Sequence, residues 1–213
     1  MSTMDASRGA APSAGLLARV KGILIQPRAE WQTIAAEPAT VGGLYTGYVG
    51  ILAAIPAICG WIGMSMIGIT LPFVGHFRVA LGVGLVHAVT RYVLTLVGVY
   101  LLALLIEWLA PRFDGEANRI QALKVAAYTG TPAWVAGVLA LVPALGILQL
   151  LAALYCIYLL YLGLPALTRA PQEKALGYTV VVILAAIVIF VVIGAIAGAL
   201  VHYPTPGLTG IHD

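Results

Sequence analysis

VAAYTGTPAWVAGVLALVPALGILQLLAALYCIYLLYLGLPALT, running from Val125 to Thr168, contains no charged side chain. As one straight helix it would measure about 66 Å, more than two hydrocarbon cores of about 30 Å each. It must therefore fold back. Pro143-Ala144-Leu145-Gly146 is the turn signal nearest its middle. The stretch predicts a hairpin of two membrane spans, 125–142 and 147–168. Pro132 predicts a kink in the first of them, with Thr129 and Thr131 placed to satisfy the backbone groups it frees.

Working outward, the rest of the chain follows the same pattern. Hydrophobic residues make up 62% of the sequence and charged ones 9%, too few to cover a soluble domain of this size. No charge falls between Glu37 and His76, which predicts a first span over about 44–68, kinked at Pro56. Val79 to Trp108 predicts a second span, long enough to tilt or to lie partly in the outer interface. A fifth covers about 176–201. The fold class expected is all-α, a polytopic membrane protein with five transmembrane helices over 41–203. It is preceded by a disordered tail over 1–15 and followed by a short tail over 204–213.

Orientation follows from lysine and arginine. Arg8, Arg19, Lys21 and Arg28 precede the first span, Arg112, Arg119 and Lys124 follow the second, and Arg169 and Lys174 follow the fourth. Five spans place these on one side, with Arg78 alone on the other. That side is expected to be the cytoplasm, with the N-terminus there and the C-terminus opposite, in a bacterial inner membrane. The net charge of +3 is thereby assigned to topology, and nucleic acid is not expected as a partner.

Leu16, Leu17, Val20, Ile23 and Leu24 recur at helical spacing, and Pro27 suits the start of a second short helix containing Glu30, Trp31 and Ile34. Residues 16–40 are therefore expected as amphipathic helices on the cytoplasmic face. They act either as a lid packed under the bundle or as a surface of Arg19, Lys21, Arg28 and Trp31 that grips membrane lipid or a cytoplasmic protein. The loop from Pro111 to Lys124 is expected to turn at Asp114-Gly115 and then form a solvated helix in which Glu116 pairs with Arg119.

Polar groups inside the spans are few. Arg91 is the one charge there, with His87 four residues earlier on the same helical face, and the pair is a candidate anion, headgroup or proton site. The alternative is that Arg91 snorkels to the outer surface. Tyr155, Tyr158 and Tyr161 form a stripe suited to bonding across the bundle or to lining a ligand site. Gly194 and Gly198 permit close helix approach, within the chain or in a homo-oligomer. Cys59 and Cys156 lie in apolar runs and are read as packing residues. There is no metal-ligand spacing, no phosphate-binding glycine loop and no catalytic constellation, so neither cofactor nor enzymatic activity is expected.

Several segments carry a resemblance to a known family. PRAEWQTIAAEPAT (27–40) leading into Leu44-Tyr45-Thr46-Gly47-Tyr48, RIQALKVAAYTGTPAW (119–134), YLLYLGLP (158–165) and EKALGY (173–178) resemble the bacterial branch of the Yip family. These membrane proteins were first linked to Rab GTPases. The resemblance covers about residues 16–200 and implies five spans with a cytoplasmic N-terminus. It brings no established activity, and the acidic cytosolic region of eukaryotic members is absent. The function expected is a non-enzymatic membrane protein that organises membrane or binds lipid or partners at its cytoplasmic face. The alternative is a small transporter or channel using His87 and Arg91.

Overall fold

The computed structural model describes residues 15–71, 75–142 and 145–200. The tails expected over 1–15 and 204–213 lie outside these apart from Gly15, as do Pro143 and Ala144 of the expected turn. Two short helices come first, α1 (Leu16–Ile25) and α2 (Pro27–Ala36), with Pro27 at the first position of α2. A long helix follows, α3 (Val41–Ile67), capped by the Thr40 hydroxyl, which accepts from Gly43 N at 3.1 Å. Pro56 is housed within α3, which widens into π-helical turns at Tyr45–Val49 and Gly63–Ile67. Gly68, at φ 80°, ends it, a backbone conformation that glycine adopts without strain.

The connection to the next span is a small antiparallel hairpin, β1 (Ile69–Leu71) with β2 (Gly75–Phe77), in which Thr70 is paired with His76. Helix α4 then runs Leu81–Leu109 and closes in a 3-10 turn over Ala110–Phe113. After it come α5 (Arg119–Thr129), α6 (Thr131–Ala136) with a 3-10 turn over Gly137–Leu141, α7 (Gly146–Thr168) and α8 (Gln172–Leu200).

Among the described residues, four helices are long and apolar enough to cross a membrane: Val41–Ile67, Leu81–Phe113, Ile147–Thr168 and Gln172–Ala199. The expected third span, 125–142, is not one helix. Its axis is interrupted at Gly130, because Pro132 cannot continue the i to i−4 ladder and instead starts α6. The pieces are held by close packing. A Cβ at Gly137 would fall 2.6 Å from Pro56 Cβ and 2.8 Å from its Cα, so the 3-10 turn lies directly on the proline of α3.

Helix α5 lies against α4 and α7, α6 against α3 and α7, and α8 against α4 and α7. The core between them is apolar: Ile106, Leu123, Leu159, Leu164 and Val182 are fully buried. Tyr178 of α8 is buried too; its hydroxyl donates to Ile106 O at 2.6 Å and its ring stacks on Phe113 at 4.8 Å. The opposite faces of α4, α7 and α8 expose valine, leucine and isoleucine along their length, a surface suited to lipid.

The 111–124 loop departs from its expected pairing. Asp114 makes the turn, with φ 57°. The helix starts at Arg119, where the Asn118 side chain accepts from Ile120 N and Gln121 N at 3.0 and 3.1 Å. Glu116 therefore lies outside the helix and cannot meet Arg119 across a turn. Arg169 donates to both its carboxylate oxygens at 3.0 and 3.1 Å, while Arg119 bonds Glu107 at 2.5 Å. The helix is also not a solvated one: every residue from Ala122 to Thr129 is buried, Lys124 included.

Candidate functional site

The polar residues that the fold brings together lie where α1 and α2 meet α3 and α5. On α1, Arg19 shares a face with Leu16 and Ile23, and that face turns inward; Arg19 is 3% exposed. Its guanidinium donates to Glu30 Oε1 at 2.5 Å and to the Glu37 carboxylate. It also lies 5.7 Å from the centre of the Tyr128 ring. From α5, Lys124 Nζ donates to Ile34 O at 2.7 Å and Glu37 O at 2.5 Å, satisfying carbonyls at the end of α2 that have no helical partner.

Aromatic groups back this set. Tyr128 meets Tyr48 edge-on at 4.6 Å and Trp31 at 6.3 Å. The Tyr48 and Thr131 hydroxyls share a hydrogen bond of 2.7 Å, and Thr131 also bonds Tyr128 O at 2.7 Å, across the Gly130 break. Trp31 is 1% exposed and lies on Gly163 of α7, where a Cβ would fall 2.7 Å from the indole.

Burial acts against both cations, with different results. For Arg19, the hydrogen bond and attraction of Glu37, reinforced by Tyr128 and Glu30, outweigh burial and raise its pKa above the ordinary arginine value. For Lys124, burial prevails over the attraction of Glu37, and repulsion from Arg19 adds to it; its pKa is lowered from 10.5. A neutral amine still carries two hydrogens for its two carbonyls.

Beside this cluster opens a cleft of about 410 Å³. Arg19, Glu37, Tyr48, Lys124 and Tyr128 supply its polar lining; Leu16, Ile34 and Leu44 supply apolar lining; Gly43 and Gly47, both exposed, border it. No side chain is near Gly47: a Cβ there would meet nothing within 4 Å.

The residues singled out from the sequence are distributed differently. Of the four set on an outward gripping surface, Arg19 and Trp31 are buried against the bundle, while Lys21 and Arg28 are exposed. Arg91 is exposed on α4 and His87 is half-buried one turn away. Of the tyrosine stripe, Tyr155 reaches α1, donating to Leu24 O at 2.9 Å; Tyr158 and Tyr161 are exposed. Cβ atoms at Gly194 and Gly198 would both meet open space. Cys59 and Cys156 are free thiols. Among the described residues no three His, Cys, Asp or Glu side chains are grouped to hold a metal.

The charged cluster itself was missed in the sequence. Its one local signal is Lys124, which stands between Ala122-Leu123 and Val125-Ala126-Ala127 with no polar residue on either flank.

A family model described as the Yip1 domain matches residues 21–193, from within α1 to near the end of α8. The chain belongs to the Yip1 family. The match takes in Glu30, Glu37, Tyr48, Lys124 and Tyr128, with Arg19 just ahead of it. Among curated relatives, the inner membrane protein YohC of Escherichia coli strain K12 is 31% identical over 166 residues, which is 76% of this chain and 85% of the relative. YohC of E. coli O6:H1 strain CFT073 matches with the same figures. No solved structure matches significantly. Family membership and the four apolar helices make this Yip1-family chain a multi-pass membrane protein.

Proposed function

We propose that this Yip1-family protein is a non-enzymatic protein of the bacterial inner membrane that holds a phospholipid by its headgroup at the cytoplasmic end of the bundle. The observation that carries this reading is the cleft of about 410 Å³, polar at Arg19, Glu37 and Lys124, apolar at Leu16 and Leu44, and bordered by two glycines. An amphipathic ligand is what such a lining recognises. The four charges of the cluster, Arg19, Lys124, Glu30 and Glu37, formally cancel. A headgroup of no net charge, such as phosphoethanolamine, suits that balance better than an anionic one. Its ammonium has the Glu37 carboxylate to meet, whose side chain keeps 21% of its exposure.

In this reading the chain crosses the bilayer five times, the broken segment 125–142 supplying the third crossing. Nine lysines and arginines then lie on the cytoplasmic side, with the N-terminus there and the C-terminus opposite. The inner-membrane assignment rests on the YohC relatives.

The test is Gly47→Leu. The new side chain enters the cleft without meeting a neighbour at its Cβ. Purified in mild detergent and weighed by native mass spectrometry, the wild-type protein is expected to retain phosphatidylethanolamine and the variant to lose it, with little change in unfolding temperature. Equal retention by both overturns the cleft as the site. Preferential retention of phosphatidylglycerol by the wild type overturns the headgroup assignment.

A further inference from the structure

Three contacts fix how deep the N-terminal helices lie. Tyr155 donates to Leu24 O near the tip of the α1–α2 turn. Trp31 of α2 lies on Gly163, and Lys124 holds Ile34 O and Glu37 O at the far end of α2. Helix α2 therefore runs alongside α7 toward its Arg169 end. From Tyr155 to Thr168 is about 20 Å of helix, and from Ile147 to Thr168 about 33 Å, close to a whole hydrocarbon core. The tip lies beyond the middle of that span. Helix α1 also touches α6, which begins only after the break at Gly130.

We infer that α1 and α2 form a re-entrant helical hairpin, entering from the Arg169 end and reaching the middle of the bilayer, with the Leu17–Ile25 face of α1 turned to lipid acyl chains. This holds whether or not the cleft binds a headgroup. Non-helical backbone at such depth needs protein partners for its free polar groups. Leu24 O is one of the last four carbonyls of α1, and the Tyr155 hydroxyl is its donor. Of the charges that enter with the hairpin, Arg19 pairs with Glu30 and Glu37, and Arg28, exposed at the start of α2, must reach toward the headgroups along its stem as Lys21 does. Leu17 and Ile25 keep 83% and 64% of their exposure. On a water-facing helix that is a cost; against acyl chains it is a gain. Lys21, exposed between them, has a stem long enough to carry its ammonium toward the headgroups.

The experiment places a nitroxide at Ile25→Cys in the full chain, with Cys59→Ser and Cys156→Ser, reconstituted in phosphatidylethanolamine and phosphatidylglycerol vesicles. Collision with oxygen is compared with collision with a water-soluble nickel chelate. Leu184→Cys on α8 and Ala117→Cys in the exposed loop are the lipid and water references. The label at 25 is expected to match Leu184→Cys, favouring oxygen. A nickel accessibility matching Ala117→Cys overturns the inference. Leu17→Cys, on the same face, is expected to be lipid-exposed but shallower; water exposure there overturns the face assignment. Tyr155→Phe, combined with Ile25→Cys, is expected to raise nickel accessibility at least twofold, and no change removes Tyr155 as the anchor.

Discussion

Lys124 Nζ lies 2.7 Å from Ile34 O, so a lysine in the buried part of α5, from Ala122 to Thr129, carries the end of another helix. One amine donates to two carbonyls of α2 and, through Glu37, adjoins the carboxylate that Arg19 holds. The N-terminal pair is thus fastened to the bundle by charge and by main chain at one place.

That fastening has a pH signature. Lys124 is held below its unfolded value of 10.5, chiefly by burial. Between the folded and unfolded values the unfolded chain binds more protons, so stability rises with pH through that window, and the favouring of the unfolded state by Lys124 protonation is fully present below it. Thermal unfolding in detergent from neutral pH toward 10.5 is expected to show this rise, and Lys124→Met to flatten it. A slope unchanged in the variant excludes Lys124 as its source.

Arg19→Leu leaves Glu30 and Glu37 without their cation in a nearly closed site. Breaking a buried pair costs about 3–5 kcal/mol. Because both carboxylates keep some exposure, a loss near the low end, about 3 kcal/mol, is expected. Adding Glu30→Gln and Glu37→Gln to the same chain should recover more than half. Failure of that rescue in chemical denaturation would locate the role of Arg19 in packing.

Gly163→Ala tests the seat of Trp31. The added methyl meets the indole at 2.7 Å, inside contact distance, and the ring is buried on all sides. A destabilisation of about 1–3 kcal/mol is expected, as for other overpacked cores. Intrinsic tryptophan emission should shift to the red as Trp31 is displaced. An unshifted spectrum with unchanged stability would show that α2 does not rest there.

Two glycines elsewhere give opposite expectations. Gly137→Ala forces backbone apart, since its Cβ meets the Pro56 Cα at 2.8 Å, and about 1–3 kcal/mol should be lost. Gly194→Ala meets open space and, gaining helix propensity, should be neutral or stabilising by up to ~1 kcal/mol. Equal effects in a thermal shift assay would contradict the packing described for the broken helix.

The long spans were legible because they are apolar runs with almost no charge, Arg91 of α4 being the exception within a span, and lipid leaves few other ways to fold such runs. The fold-back within Val125–Thr168 followed from length alone. The inward face of α1 was not legible. Arg19 reads as a water-facing residue until Glu30 and Glu37, 11 and 18 positions away, come to neutralise it, and no local pattern encodes that meeting. Trp31 fits the lid reading of these helices and not the gripping surface: an indole beside charges looks interfacial, and Gly163, far along the chain, makes room for it. Of the tyrosine stripe, Tyr155 bonds across to α1 while Tyr158 and Tyr161 are exposed, and the partner of Tyr155 is main chain, which leaves no mark in a sequence. The break at Gly130 was half visible, as a kink at Pro132.

The order of synthesis gives the Trp31–Gly163 contact a further meaning. The α1–α2 pair leaves the ribosome well before Lys124, Tyr155 and Gly163, which seat it. Until then Arg19 and its carboxylates have no bundle to enter. These two helices therefore cannot complete their docking until α7 has been made, and a nascent chain stopped before α7 carries them outside their finished position, exposed to whatever chaperone attends insertion.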